Sequence, residues 1–348
     1  MMTDSKNLFS TAQALPGALA SMGSAPVIRQ LRHLVVSGLA DLPLPGTGRT
    51  LDRWQALSVV AGHDLSLARL YESHADALAI LRELGYEEHT RGAVWAMWAA
   101  ESPGRRLAAT DRGAEGIVLS GSKAACAGAL GASHALLTAW LPGQQPQLMV
   151  VELDHPSVGI HTNDWHALGM ADTGSADVSF HNTPATRLGA PGDFMRRSGY
   201  WHGAAGIAAC WHGGIRAAAH VLFAAVQQCP PSHPLHTMRA AALAKVDVAL
   251  HSSAAVLRDS AAWIDAHPRD AAMALALRTR QAVESSAWRV LQEAGRALEG
   301  TAFSRSAFFA RMAADLPAFM RQSQGGDRDE AALSGALLAQ DAPPLWAL

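Results

Sequence analysis

The sequence predicts an α+β protein in which helices lie on either side of one compact block of strands. Three observations predict it. Residues 98–180 leave helical spacing for short apolar runs and alternations at 117–119, 134–137 and 148–153, bounded by Gly116, Ser120-Gly121, Pro142-Gly143 and Pro156, the punctuation of strands and turns. Alanine-rich stretches with apolar residues three and four apart stand before and after that block, as packed helices require. Single strands and helices alternate little, which favours segregated layers over a doubly wound sheet.

Taken in order, residues 27–39 are an apolar periodic segment that runs into a loop at Pro43, Pro45, Gly46 and Gly48, all turn formers. A helix is expected over 50–70, interrupted at Gly62-His63-Asp64, with Leu57, Val60, Ala61, Leu65, Ala68 and Leu70 as its apolar stripe. Beyond the strands, 201–226, 235–266, 269–298 and 305–321 have the length and spacing of bundle helices. His267-Pro268 closes the second of these and opens the third, where Asp270 meets the N-terminal dipole. Gly213-Gly214 permits close helix approach, and no solenoid repeat is visible.

A chain of 348 residues, 49% hydrophobic and 17% charged, can fold as two or three domains and leaves no room for a long disordered arm. The net charge of −2 gives no electrostatic reason for a nucleic-acid or anionic-membrane partner. The N-terminus is broken by Pro16, Gly17, Gly23 and Pro26, and no stretch approaches about 18 consecutive apolar residues. A cytoplasmic protein without signal peptide or membrane span is expected. Cys126, Cys210 and Cys229 are far apart, as reduced thiols in a cytosol would be. Sixteen histidines include no H-E-x-x-H, and His233 and His236 flank a proline-rich turn. No metal site is expected.

Three pieces of the strand block resemble acyl-CoA dehydrogenases, in that family's order. Ala99-Ala100-Glu101-Ser102-Pro103-Gly104 stands where the family has its T-E-P-G strand, and Leu119-Ser120-Gly121-Ser122-Lys123 resembles its L-x-G-x-K hairpin. Leu168-Gly169-Met170, followed by Ser175-Ala176-Asp177-Val178-Ser179-Phe180, resembles its next strand pair. Asp64-Leu65-Ser66-Leu67-Ala68 is similar to the start of a buried family helix that runs through His74 to Leu84. The resemblance implies an N-terminal helical domain (residues 1–95), a β-barrel-like middle domain (96–190) and a C-terminal four-helix bundle (191–348), with a flavin between the last two. Asp315 and Arg321-Gln322-Ser323 resemble a branch of the superfamily that includes flavin-dependent monooxygenases of the dibenzothiophene type, in which a histidine usually stands near the position of Gln324.

What the resemblance implies for a site is FAD, held at its pyrimidine edge by backbone groups of Ala100, Glu101 and Ser102 on one strand and Ala125, Cys126 and Ala127 on the other. FMN or an empty site stays open. The family's pyrophosphate-binding arginine segment falls at Val226-Gln227-Gln228-Cys229-Pro230, which has no arginine, and its glycine pair falls at Glu299-Gly300. Dehydrogenation of an acyl thioester needs a carboxylate base. The family's two positions for it fall at Ser323 or Gln324 and near Ala204 or Ala205.

Two dipeptides remain, Trp201-His202 and Trp211-His212, ten residues apart and so close to a whole number of turns. They can line an aromatic pocket with Gln324, with His202 or His212 as imidazole base or donor, or they can be helix packing with the histidines at a polar seam. A histidine base would make activity fall below a pKa of roughly 6.5. Three readings follow: a flavoprotein oxidising an acyl-CoA or related small molecule with an altered base, a reduced-flavin monooxygenase, or a non-catalytic protein that kept the fold. A homodimer or homotetramer is expected, because a monomer would leave the apolar stripes of the last helices partly exposed.

Overall fold

The structure is a computed structural model that describes residues 11–86, 92–101, 106–162, 166–322 and 327–339. Ser102, Ser323 and Gln324 lie outside the described residues. In chain order the elements are α1 (Thr11–Met22), α2 (Val27–Val36), α3 (Thr50–His63), α4 (Leu65–Glu83), β1 (Trp95–Trp98), β2 (Ala108–Asp111), β3 (Ile117–Cys126), β4 (His134–Ala139), β5 (Gln147–Glu152), β6 (Val158–His161), β7 (Ala176–Leu188), α5 (Asp193–Arg196), α6 (Gly199–Gln227), α7 (His236–Ala266), α8 (Met273–Arg305), α9 (Ala307–Gln322) and α10 (Asp327–Leu338). They divide into two units, neither contiguous in sequence. One comprises Met1–Leu44, Ser66–Ala167 and Ala171–Tyr200, the other Pro45–Leu65, Leu168–Met170 and Trp201–Leu348.

The first unit is built on a sheet of order β1-β4-β5-β7-β3-β2, with β6 paired to β7. β1 runs parallel to β4, and the other pairs are antiparallel. The period of two along β1 sorts its side chains. Trp95 and Met97 pack with Ala77, Ile80 and Leu81 of α4, whereas Ala96 and Trp98 join Leu119, Val178 and Phe180 on the opposite side. Burial on both faces explains why β4 and β5 read as unbroken apolar runs. α1 passes through Pro16, which the sequence reading took as a break. The helix tolerates the lost N–H because Leu15 and Leu19 are buried beside it.

Two motif pieces differ from their expected geometry. Leu119 to Lys123 is not a hairpin but the middle of the single strand β3, paired along its length with β7 and through Ser120 with β2, and bulged against β7 between Leu119 and Ser120 and between Lys123 and Cys126. Leu168, Gly169 and Met170 form no strand. They make a turn that ends with Met170 at φ 60°.

The second unit is helical. α3 stops at the single extended residue Asp64 (φ −157°, ψ 128°), the joint expected near Gly62-His63-Asp64. α3 lies very close to α6, since a Cβ on Gly213 would stand 2.2 Å from the Ser58 carbonyl oxygen. α8 starts at Met273, not Arg269, and has no acid in its first turn, so Asp270 does not meet its dipole. Residues 267–270 instead turn on the Asp270 N–H to His267 carbonyl bond. α8 also continues past Leu298 to Arg305, kinked where Glu299 takes φ 55°, ψ −170°. By length and composition alone, α7 is the one helix among the described residues apolar enough to cross a membrane.

Candidate functional site

In the first unit, Lys123 brings the two candidate cofactor segments together. Its side chain projects from β3, is 3% exposed, and donates from Nζ to the Ala100 carbonyl (3.1 Å), Glu101 Oε1 (3.2 Å) and Thr138 Oγ1 (3.2 Å). Thr138 Oγ1 donates to the same Glu101 oxygen at 2.8 Å. A buried ammonium needs this many acceptors to offset its desolvation. A second tie runs from the Trp98 indole N–H to the Ala127 carbonyl, 2.9 Å.

The β3 bulge puts Ala125 at φ 54°, and Asp177 of β7 accepts its N–H at 3.0 Å. Cys126 is buried, and burial pushes its thiol up to about 12 against the nearby Lys123 charge. It is an inert core thiol. Thr138 escaped the sequence reading, and Asp177 entered it only as part of a strand motif. The signal for Thr138 was a lone hydroxyl inside an otherwise apolar strand.

These residues fit the polar edge of a flavin ring. Ala100, Glu101 and Ala125 are exposed, so the outer edges of both segments are open to a ligand. The segment 226–230, which the resemblance would put at an adenosine end, carries no cation, and its Cys229 carbonyl is bonded by the His236 ring at 2.8 Å. Glu299 stands in a backbone conformation that is essentially reserved for glycine. A cavity of about 520 Å³ in this first unit, lined by Val35, Val36, Leu78 and the Asp41–Arg82 ion pair, involves none of the candidates.

In the second unit the two Trp-His pairs do not share a face. Ten residues fall about 80° short of three turns, and burial follows: His202 and Trp211 are buried, whereas Trp201 and His212 are half-buried. The Trp211 indole N–H has no hydrogen-bond partner among the described residues, and the Arg280 guanidinium lies 5.8 Å from its ring centre. His212 Nδ1 is 2.8 Å from Ser253 Oγ, which itself donates to the Leu250 carbonyl at 3.0 Å. The single hydroxyl proton is spent there, so Nδ1 carries the imidazole hydrogen and Nε2 the lone pair. Burial, then the charges of Arg216 and Arg258, hold His212 down to about 4. The expected titration near 6.5 is therefore displaced, and His212 is neutral and weakly basic at pH 7.

Asp315 is committed to structure. It accepts the Met170 N–H at 2.6 Å and faces Arg311 Nε at 3.5 Å, and Arg311 also reaches Asp64 at 3.6 Å. Burial raises the Asp315 pKa, opposed by the Met170 N–H and Arg311. Gly169 is required beside it, since a Cβ there would lie 2.3 Å from the Ala314 carbonyl oxygen. His233 accepts the Leu235 N–H within its turn. Among the described residues no three metal-binding side chains cluster.

No family model matches the chain. Dibenzothiophene monooxygenases of Rhodococcus qingshengii and Rhodococcus erythropolis (strain XP) are each 29% identical to it over 198 residues, 50% of this chain and 47% of theirs. The chain thus spans about half the length of the curated relatives it matches. Among solved structures, KijD3 in complex with FMN and dTDP-3-amino-2,3,6-trideoxy-4-keto-3-methyl-D-glucose superposes with a TM-score of 0.81 at 19% identity, over 95% of this chain and 94% of that one. Butyryl-CoA dehydrogenase from Megasphaera elsdenii gives 0.76 at 18% identity, over 95% and 99%. Similarity of this extent at such low identity is similarity of fold, and the chain has the acyl-CoA dehydrogenase fold that its motifs resemble.

Proposed function

We propose that the protein is a flavin-dependent oxygenating enzyme that uses reduced FMN and dioxygen on a small apolar substrate. One observation carries this reading: the two positions at which the resemblance would put a base hold no carboxylate, Ser323 or Gln324 at one and Ala204 or Ala205 at the other. Ala204 and Ala205 cannot take a proton, and Asp315 is held by Met170 and Arg311. Oxygen transfer needs no such base. Two further findings support it: the relatives matched in sequence are monooxygenases, and KijD3 was solved with FMN.

When bound, the reduced flavin would supply two electrons, so that one atom of dioxygen enters the substrate and the other leaves as water. The chain's part is to hold and enclose. Ala100, Glu101 and Ser102 on one side and Ala125, Cys126 and Ala127 on the other would meet the ring's polar edge, kept in register by Lys123 and Trp98. Trp201, Trp211 and Gln324 would wall the substrate, and His202 or His212 would orient it by hydrogen bonding. The functional division into residues 1–95, 96–190 and 191–348 and assembly as a dimer or tetramer belong to the same proposal. α7 supports assembly, with Val248 and Met238 exposed at 65% and 41%.

The test mixes purified protein with FMN and with FAD, then supplies photoreduced flavin, isotopic dioxygen and an apolar aromatic heterocycle such as dibenzothiophene. Tighter binding of FMN and one labelled oxygen atom in the product are expected. Anaerobic bleaching of bound flavin by a saturated acyl-CoA would overturn the reading in favour of dehydrogenation. Uptake of neither flavin would remove both.

A further inference from the structure

The cavity of about 520 Å³ in the first unit has the volume of a small-molecule site and shares no residue with the segments considered so far. His74, Leu78 and Arg82 line it from α4, and their spacing of four residues sets them in one row along that helix. Exposure rises along the row: His74 is 2% exposed, Leu78 8% and the Arg82 side chain 44%. The row therefore runs from the floor of the cavity to its mouth. His74 Nδ1 accepts the Trp95 N–H at 3.1 Å, which ties the floor to β1. More of the wall comes from Val35 and Val36, the last residues of α2, and from Ala40 and Asp41 just beyond it.

At the mouth, Arg82 Nη2 donates to Asp41 Oδ1. This is the one side-chain bond that either residue makes among the described residues, so the guanidinium keeps further N–H donors and Asp41 keeps Oδ2 as an acceptor. An exposed pair of this kind adds little to stability and can admit a third group. Its two charges cancel, so a lone carboxylate or a lone ammonium would meet a like charge next to its partner. A carboxamide satisfies both residues, because its carbonyl accepts from Arg82 while its NH2 donates to Asp41, and it enters without the desolvation cost of a charged head.

We propose that this cavity binds a neutral amphipathic molecule with a carboxamide head. The head sits on the Arg82–Asp41 pair, and the apolar body packs below it against Leu78, Val35, Val36 and Ala40. This is the order in which the α4 row presents its side chains, charged at the mouth and apolar beneath. The site is separate from the flavin reading and stands if that reading fails, since none of its lining residues is assigned to the flavin or to the oxygenated substrate.

The test uses the full chain and three probes with the same apolar tail: hexanamide, hexanoate and hexylamine. Calorimetry should give a dissociation constant in the millimolar range for hexanamide, with the two charged probes about 10-fold weaker or more. Shortening hexanamide to butanamide should weaken binding roughly 2- to 4-fold for each methylene removed, if the apolar walls take the tail. Arg82→Met should weaken hexanamide binding by roughly 5-fold or more while circular dichroism stays unchanged. Asp41→Asn should instead let hexanoate bind more tightly than it does to the parent, a gain that damage to the fold cannot produce. The amide resonances of Gly38, Ala40 and Leu78 should shift with hexanamide, and added FMN should leave its affinity unchanged. No saturable binding of hexanamide, equal binding of the three heads, parent-like affinities in both variants, or competition by FMN would overturn the proposal.

Discussion

Lys123 and Arg216 are both partly or wholly buried cations next to residues singled out for chemistry, yet their surroundings are opposite. Lys123 is closed: a carboxylate, a hydroxyl and a carbonyl fill its donor positions, all from its own unit. Arg216 lies against Gly62 of α3 and one turn from the His212 imidazole, and among the described residues it makes no ion pair. The difference teaches where charge is spent. A satisfied buried cation fixes the geometry of the chain around it, whereas one without an ion pair lowers the proton affinity of the groups near it, as Arg216 does at His212.

The largest expected effect is at the closed cluster. Lys123→Met would leave Glu101, Thr138 and the Ala100 carbonyl without their donor. Removal of one member of a buried pair costs several kcal/mol, but the Glu101 side chain is 34% exposed, so about 2 kcal/mol is expected after solvent screening. Urea unfolding should show a lower midpoint at unchanged slope, with faster amide exchange at residues 99–101. A variant as stable as the parent would show that the ammonium does not hold this segment.

The open cluster should reveal itself through pH. The folded pKa of His212 lies near 4, below the ordinary 6.5, so the folded state binds fewer protons than the unfolded state between those values. The contribution to stability is therefore present above about 6.5 and lost as pH falls to about 4. Asp315, with its raised pKa, has the opposite dependence. Comparing parent with His212→Gln isolates the histidine: the variant should lose close to one proton's worth of slope in stability against pH. Equal slopes would mean that His212 titrates normally and that the arginines do not act on it.

The smallest effect belongs to Glu299, which sits between the two cases because its cost is backbone strain. Glu299→Gly relieves a conformation of φ 55°, ψ −170°, worth about 1 kcal/mol of stabilisation after the greater freedom glycine adds to the unfolded chain. A lower melting temperature in this variant would show that the Glu299 side chain contributes more than its backbone costs.

The fold was legible because its strands and helices are long and uniformly buried. β4 and β5 stood out as unbroken apolar runs, and the bundle helices other than α8 ended within a few residues of their expected limits, as α7 does before Pro268. Local exceptions were harder. Gly121 and the neighbouring serines looked like a hairpin turn, but β3 absorbs them with bulges, and Pro16 looked like a stop although two buried leucines carry α1 through it. The site was half legible. The motif exposed Lys123 and Asp315 without their partners, because Thr138 is 15 residues from the lysine and Met170 is 145 from the aspartate. Likewise the Trp-His repeat suggested a shared face that 3.6 residues per turn does not allow.

The helical unit takes α3 from residues 50–63, the turn at 168–170, and everything after residue 201. During synthesis, α3 must wait for about 150 further residues before Gly213 emerges to receive it. Trp54, Leu57 and Ala61, all buried in the finished protein, stay without their final neighbours for that interval. At about 5–20 residues per second the delay is roughly ten seconds or more, a long exposure for an apolar helix. Neither unit can be recovered as a continuous fragment, so proteolysis between β7 and α6 should release pieces that remain associated. Chain order and folding order are thus different in this protein, and a helix made after the strands is the one that lets α3, made before them, complete its burial.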